Sequence, residues 1–199
     1  MTVMLTGEGD RGDTILAVKV QKGDREAFGR IVELFQTRIF SFCYQFFRDR
    51  DIAAEMAQET FLRTYRHIKK YDSKKKFSTW IYSIAKNVCI DEKRKLDRSR
   101  TVPIDDVSPE SFPSGQQGRH LKNPSQISSR LEDRVLLENA VARLPEKYRT
   151  AIILCYFQEL PYQEIADILG LSLNLVKVRI FRAKRQLLEI LMEKEGGEK

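Results

Sequence analysis

The sequence predicts an all-α chain of two small helical domains joined by a flexible linker. Apolar residues recur three or four positions apart in each patterned stretch, and no stretch alternates convincingly with period two. A proline-rich interval separates two groups of such patterns. At 199 residues the chain has room for one ordinary domain or two small ones, and 42% hydrophobic with 32% charged content fits packed helices with solvated outer faces.

Residues 1–13 are expected as an N-terminal tail and 14–97 as the first domain. From Asp24, a suitable N-cap, the positions Phe28, Ile31, Val32, Phe35, Ile39, Phe42, Cys43 and Phe46 form an amphipathic stripe. A second helix is expected from Asp51 to His67 with Ile52, Met56, Phe61, Leu62 and Tyr65, and a third from Ser78 to Lys95. Residues 98–128 hold four of the six prolines, Pro103, Pro109, Pro113 and Pro124, and little apolar periodicity, which marks a linker. As a flexible coil its ends would lie about 30 Å apart, and stretched it would reach about 100 Å. The two halves could then act at separated places. The second domain, 129–193, has helical patterns over 129–144, 146–157, 161–169 and 172–193, and 194–199 is a charged tail. Pro145 and Pro161 suit first-turn positions, where a missing N–H costs nothing.

The net charge of +7 is less informative than its placement. Residues 62–100 contain 13 Lys or Arg against 4 Asp or Glu, so the remainder of the chain is slightly acidic. Basic charge concentrated in this way favours a polyanion, nucleic acid before an acidic membrane surface. Cys43, Cys89 and Cys155 each fall in an apolar helical pattern without a CxxC pair and are expected as reduced core thiols. The N-terminus lacks a signal pattern, and no apolar run approaches the roughly 18 residues that a bilayer requires. A cytoplasmic chain is expected. With His67 and His120 as the only histidines, and no metal-ligand spacing, phosphate-cradling glycine run or nucleophile motif, neither an enzyme nor a metal or cofactor is expected.

The segment PYQEIADILGLSLNLVKVRIFRAKR, residues 161–185, has the spacing of a helix-turn-helix. Two helices crossing near a right angle need a small residue at the close approach, here Ala166. They also need one free to take positive φ, Gly170, and a β-branched plug, Val176. Ser172 can cap the second helix. With Val176, Ile180, Ala183 and Leu187 turned inward, Asn174, Val178, Phe181, Arg182 and Arg185 face outward, flanked by Lys177 and Lys184. Such a face suits the major groove: Arg or Lys to guanine or phosphate, Asn to adenine, an apolar side chain to a thymine methyl. Phe181 either touches a base or packs on a protein partner.

In KKFSTWIYSIAKNVCIDEKRK, residues 75–95, Trp80, Ile81, Ile84, Ala85 and Val88 form a buried stripe. The other face carries Tyr82, Lys86, Asn87, Lys93 and Arg94, with Phe77 and the Lys74, Lys75, Lys76 loop at its start. Aromatic surface, an amide and basic charge together can hold a single strand, because every base offers a π face and every nucleotide a phosphate. Opening about five base pairs costs about 7 kcal/mol. One or two stacked bases return about 1–3 kcal/mol each, so the segment captures flipped bases only with outside binding energy.

These residues carry a resemblance. DIAAEMAQETFLRTYRHI followed by KKFSTWIYSIAKNVCIDEKRK resembles conserved region 2 of the bacterial sigma-70 family, in its extracytoplasmic-function group. LPEKYRTAIILCYFQELPYQEIADILGLSLNLVKVRIFRAKRQL resembles that group's region 4. The resemblance implies a promoter-specificity subunit: a region 2 helical bundle and a region 4 helix-turn-helix that bind the RNA polymerase core at its clamp helices and flap. On that likeness Glu55, Gln58, Glu59, Phe61 and Leu62 dock on the polymerase, while Lys76, Phe77, Tyr82, Lys86, Asn87, Lys93 and Arg94 trap the melted promoter element. Ser172, Asn174, Lys177, Val178, Phe181, Arg182, Lys184 and Arg185 read the upstream element as duplex. A cognate anti-sigma factor, often membrane-tethered, is the implied regulator, holding the chain at the inner membrane face.

The sequence departs from the family's pattern in places. Ala54 and Glu55 stand where an acidic pair is common, and Val178 where a small polar residue is frequent. The extra regions of larger members are missing, so nothing is expected to replace a housekeeping factor's self-inhibition. A stand-alone regulator binding duplex as a dimer is the alternative, although it leaves the first half idle.

Overall fold

The computed structural model describes residues 8–100 and 126–195. The described residues include no strand. Helices α1 (Glu8–Gln21), α2 (Arg25–Phe47), α3 (Arg50–His67) and α4 (Phe77–Arg100) build the first half, with a 3-10 turn at Ile68–Lys70. The second half comprises α5 (Gln126–Arg143), α6 (Glu146–Ile152) running into a π-helical turn at Ile153–Phe157, α7 (Tyr162–Leu169) and α8 (Leu173–Glu195). Helices α4 and α5 thus extend into both ends of the stretch expected as linker, whose residues 101–125 lie outside those described.

Helix α1 was not expected, and it starts within the stretch assigned to a tail. Burial of Ala17 and Val20 on the bundle holds it, as does Gln21, whose Nε2 donates to the carbonyls of Ile68 and Tyr71 at 2.8 Å each. It ends in a Schellman turn: Gly23 takes φ +99, its N–H reaches Val20 O at 2.9 Å, and Asp24 N–H reaches Lys19 O at 3.1 Å. Asp24 then caps α2 as expected, accepting from Ala27 N–H at 3.0 Å.

Helix α2 buries Ala27, Ile31, Phe35, Ile39, Phe42, Cys43 and Phe46 along one stripe and packs most extensively on α3. Asp49 caps α3 by accepting from Asp51 and Ile52 N–H, both at 2.9 Å. Helix α4 contributes Phe77, Ile81, Tyr82, Ala85, Val88 and Cys89. The thiols of Cys43 and Cys89 meet at 3.7 Å in the core and remain free; Cys155, also expected in the core, is only partly buried.

In the second half, Pro145 and Pro161 sit one position earlier than expected, at the N-caps, with extended ψ of 142° and 147°. Their carbonyls open the helical ladders, accepting from Arg149 N–H at 2.9 Å and Ile165 N–H at 3.0 Å. The π turn closes with Gln158 N–H on Ile153 O at 3.0 Å. Although the linker would let the halves act apart, here they are docked, with α2 and α4 against α5, the π turn and α7.

Candidate nucleic-acid interface

The helix-turn-helix forms for the reasons its spacing gave. Gly170 adopts φ +64 and ends α7 in a second Schellman turn, with Gly170 N–H on Asp167 O at 3.3 Å and Leu171 N–H on Ala166 O at 2.9 Å. Ala166 and Val176 are buried at the crossing, and Ser172 Oγ accepts from Leu175 N–H at 3.3 Å. Val176, Ile180 and Ala183 turn into the core, so α8 leaves Asn174, Lys177, Val178, Phe181, Arg182, Lys184 and Arg185 exposed. Phe181 is 69% exposed, a large apolar surface left in water. Lys184 lies over the Tyr156 ring at 5.1 Å, and hydrogen bonding to Tyr156 raises its pKa. Arg185 pairs with Glu189 at 3.3 Å, while Lys177 and Arg182 have no ion-pair partner among the described residues. Replacing Lys177 or Arg182 with Ala is therefore expected to weaken duplex binding and to lower the log–log salt slope by about 1 each. Titrating the upstream duplex at several salt concentrations measures both effects.

The first half's basic face is more divided than expected. Asn87 and Arg94 are exposed, and Lys93, partly buried, pairs with Asp97 at 3.7 Å. Two of the expected strand contacts lie elsewhere. Phe77 is 0% exposed, edge-on to Phe35 and Tyr71, because as the first residue of α4 it plugs the bundle between α2 and the 3-10 turn. Tyr82 is also buried, edge-on to Phe42, and burial pushes its phenol pKa up; the hydroxyl donates to Gln158 Oε1 at 2.7 Å. Lys76 is exposed but pairs with Glu164 at 2.8 Å, and partial burial lowers the Lys86 pKa against the opposing pull of Glu146. Trp80 packs on Tyr71 and Phe77, partly buried, in keeping with a core role.

A trough of about 800 Å³ runs between α2 and α3. The expected docking residues Gln58, Phe61 and Leu62 line one wall, while Glu55 and Glu59 face an adjoining cleft with Arg63 and Asp91. Arg63 bridges Glu59 at 2.7 Å and Asp91 at 3.1 Å, and these bonds raise its pKa. The opposite wall, Phe28, Val32 and Phe40 of α2, was missed as a surface. The signal was present: α2 is apolar on a second stripe, displaced by one residue from its core stripe, which a single buried face does not need. Ala54 lines this trough too, so the missing carboxylate leaves an apolar wall in its place.

Residues 31–99 match the family model described as Sigma-70 region 2, and residues 134–187 match Sigma-70, region 4. The chain is 34% identical over 172 residues to the ECF RNA polymerase sigma factor SigW of Bacillus subtilis, covering 85% of this chain and 91% of that protein. It belongs to the extracytoplasmic-function group of the sigma-70 family.

This sigma factor is also 32% identical over 187 residues to the RNA polymerase sigma-H factor of Pseudomonas aeruginosa, covering 92% of this chain and 94% of that one. The ECF RNA polymerase sigma-E factor of Escherichia coli K12 is 31% identical over 179 residues, 88% of this chain and 92% of that one. Its fold is shared with CnrH, solved in complex with the cytosolic domain of CnrY, at a TM-score of 0.67 and 23% identity over 92% of this chain and 98% of that one. The sigma factor RpoE of Bartonella quintana, solved with the anti-sigma factor NepR, has the same fold at a TM-score of 0.61 and 22% identity over 83% of this chain and 96% of that one. The region 2 match contains the α4 face and all of the trough's lining but Arg25 and Phe28, and the region 4 match contains the whole turn and the outward face of α8. The sigma-factor reading thus prevails over a stand-alone dimeric regulator. Among the described residues no helix is long and apolar enough to cross a membrane.

Proposed function

We propose that this sigma factor directs core RNA polymerase to its promoters by dividing three tasks among three surfaces. The trough between α2 and α3 docks on the polymerase clamp helices, and region 4 also meets the flap. Lys76, Lys86, Asn87, Lys93 and Arg94 hold the melted strand, joined by Tyr82 once it is uncovered. Asn174, Lys177, Val178, Phe181, Arg182, Lys184 and Arg185 lie in the major groove of the upstream duplex, with Ser172 fixing the start of α8. The observation that carries this reading is the two-sidedness of α8. Its inner stripe is buried, whereas its outer face stands open in water beside a turn set by Gly170.

Run-off transcription from candidate promoters, with core polymerase with and without the chain, tests the proposal. Promoter-dependent product only in its presence is the expected result; identical transcripts either way would end it. Asn87→Ala is expected to reduce opening about 10-fold, the value of one lost base contact, while polymerase co-purification is unchanged. If docking is lost instead, Asn87 is structural. RpoE of Bartonella quintana was solved with an anti-sigma factor. On that likeness we place this chain in the cytoplasm under a cognate anti-sigma factor, which, when membrane-anchored, holds it at the inner face.

A further inference from the structure

The Lys74–Lys76 loop carries three exposed lysines on a stretch that is neither helix nor strand, yet its backbone is tied along its whole length. Asp72 closes it from within: its carboxylate accepts from Lys74 N–H and its carbonyl from Lys75 N–H, both at 3.0 Å. The buried Tyr71 side chain folds back along the loop, and its hydroxyl donates to Lys75 O at 2.5 Å. The Lys76 carbonyl then accepts from Trp80 N–H at 3.3 Å, which joins the loop to the first turn of α4.

Helix α1 holds this loop from outside. Gln21 Nε2 donates to Ile68 O and Tyr71 O, both at 2.8 Å, and so fixes the backbone that enters the loop from positions 47 and 50 earlier in the chain. Thr14 Oγ1 lies 3.2 Å from the Tyr71 hydroxyl. That hydroxyl has a single hydrogen, which lies toward the Lys75 carbonyl, a group that can only accept; Thr14 is therefore the donor to Tyr71. A relay thus runs from Thr14 through Tyr71 to the loop backbone, each bond polarising the next. We infer that α1 is a brace for the strand-binding loop, with Thr14, Gln21 and Tyr71 as positioning residues that set where Lys74, Lys75 and Lys76 meet the melted strand.

The chemistry of the loop calls for such a brace. Neighbouring ammonium groups repel one another, and an untied loop would relax by spreading them. Bonds to the backbone resist that spreading without occupying a lysine side chain. A loop shaped before the strand arrives also loses less conformational freedom on binding than one the strand itself must order. The apolar face of α1 is small, with Ala17 and Val20 buried and Ile15 exposed, while its polar Thr14 and Gln21 turn to Tyr71. The region 2 match begins at residue 31, so the α1 side of the brace lies before it. The inference rests on the proposed reading of this loop and α4 as the strand face.

Trp80, the only tryptophan, packs on Tyr71 with 5.3 Å between ring centroids, and its fluorescence reports the state of the loop. In the full chain without polymerase, Gln21→Met and Tyr71→Phe should raise acrylamide quenching of Trp80 while helical content is unchanged. Assembled with core polymerase on a candidate promoter, both should bind core as the parent does and form about 10-fold less open complex, read by permanganate reactivity of thymines. The stability of that complex should also depend less steeply on salt, because misplaced lysines neutralise fewer phosphates. Thr14→Val should reduce opening about 5-fold, whereas Thr14→Ser, which keeps the donor, should restore it. Replacing Lys74, Lys75 and Lys76 together with Ala removes the charges and leaves the brace, and opening should fall with no change in core binding. If that triple variant loses opening while Gln21→Met, with Trp80 more quenched, opens promoters like the parent, the brace is overturned and the strand-face reading stands. Unchanged quenching and opening in Gln21→Met, Tyr71→Phe and Thr14→Val alike would also overturn it, since the bonds would not then shape the loop. Parent-like opening by the triple-lysine variant would instead remove the strand-loop reading, and the brace with it.

Discussion

Leu62→Glu, assembled with core polymerase, is expected to reduce promoter-dependent run-off product by about 100-fold or more, while the free chain keeps its helical content and melting midpoint. Leu62 is 44% exposed at the lip of the trough, so the free fold gains little from it. Seated on a partner helix it would be buried, contributing about 1.5–3 kcal/mol. A carboxylate there adds a desolvation cost of comparable size, and about 1.4 kcal/mol is a factor of ten in affinity. The measurement is a titration of core polymerase against labelled chain, followed by run-off. Undiminished docking would place the polymerase contact elsewhere. Phe40→Ala, on the opposite wall, should weaken docking in the same assay, since a helix in the trough must touch both sides.

The second large effect is on stability. Val176 is 0% exposed where α8 crosses α7, and Val176→Asp puts a carboxylate there without a designed partner. An unpaired buried charge costs several kcal/mol, against about 5–15 kcal/mol for an ordinary domain and less for one this small. The helix-turn-helix should melt as a unit, with loss of upstream-duplex binding and a clear fall in far-ultraviolet helical signal. Val176→Ala, which removes only methyl groups, should cost about 2 kcal/mol and retain binding. If Val176→Asp melts like the parent, the crossing is not packed around this residue.

What was legible in the sequence was largely what one helix determines for itself. The Asp24 cap, the Gly170 turn, the Ser172 cap and most of the apolar stripes of α2 and α8 depend on residues within a few positions of one another and stand as expected, whereas Phe28 and Val32 leave the α2 stripe for the trough wall. Helix α1 escaped because its buried stripe is reduced to Ala17 and Val20, too sparse for periodicity, even though Gly23 and Asp24 mark its end. Phe77 and Tyr82 were misplaced for a different reason. Spacing assigns residues to faces of α4, but this helix is covered on more sides than one, by α2 on one and by the π turn on another.

The sequence alone determined an all-helical chain in two parts, with a helix-turn-helix in the second and a basic, aromatic-rich helix in the first. It could do so because capping, periodicity and charge placement act over a few residues. Only the tertiary structure decided that α2 has a second apolar face opening into a trough, and that Arg48 and Glu138, 90 positions apart, meet at 2.6 Å. Such pairings depend on how finished helices stack, and no local pattern encodes which distant carboxylate will neutralise which guanidinium.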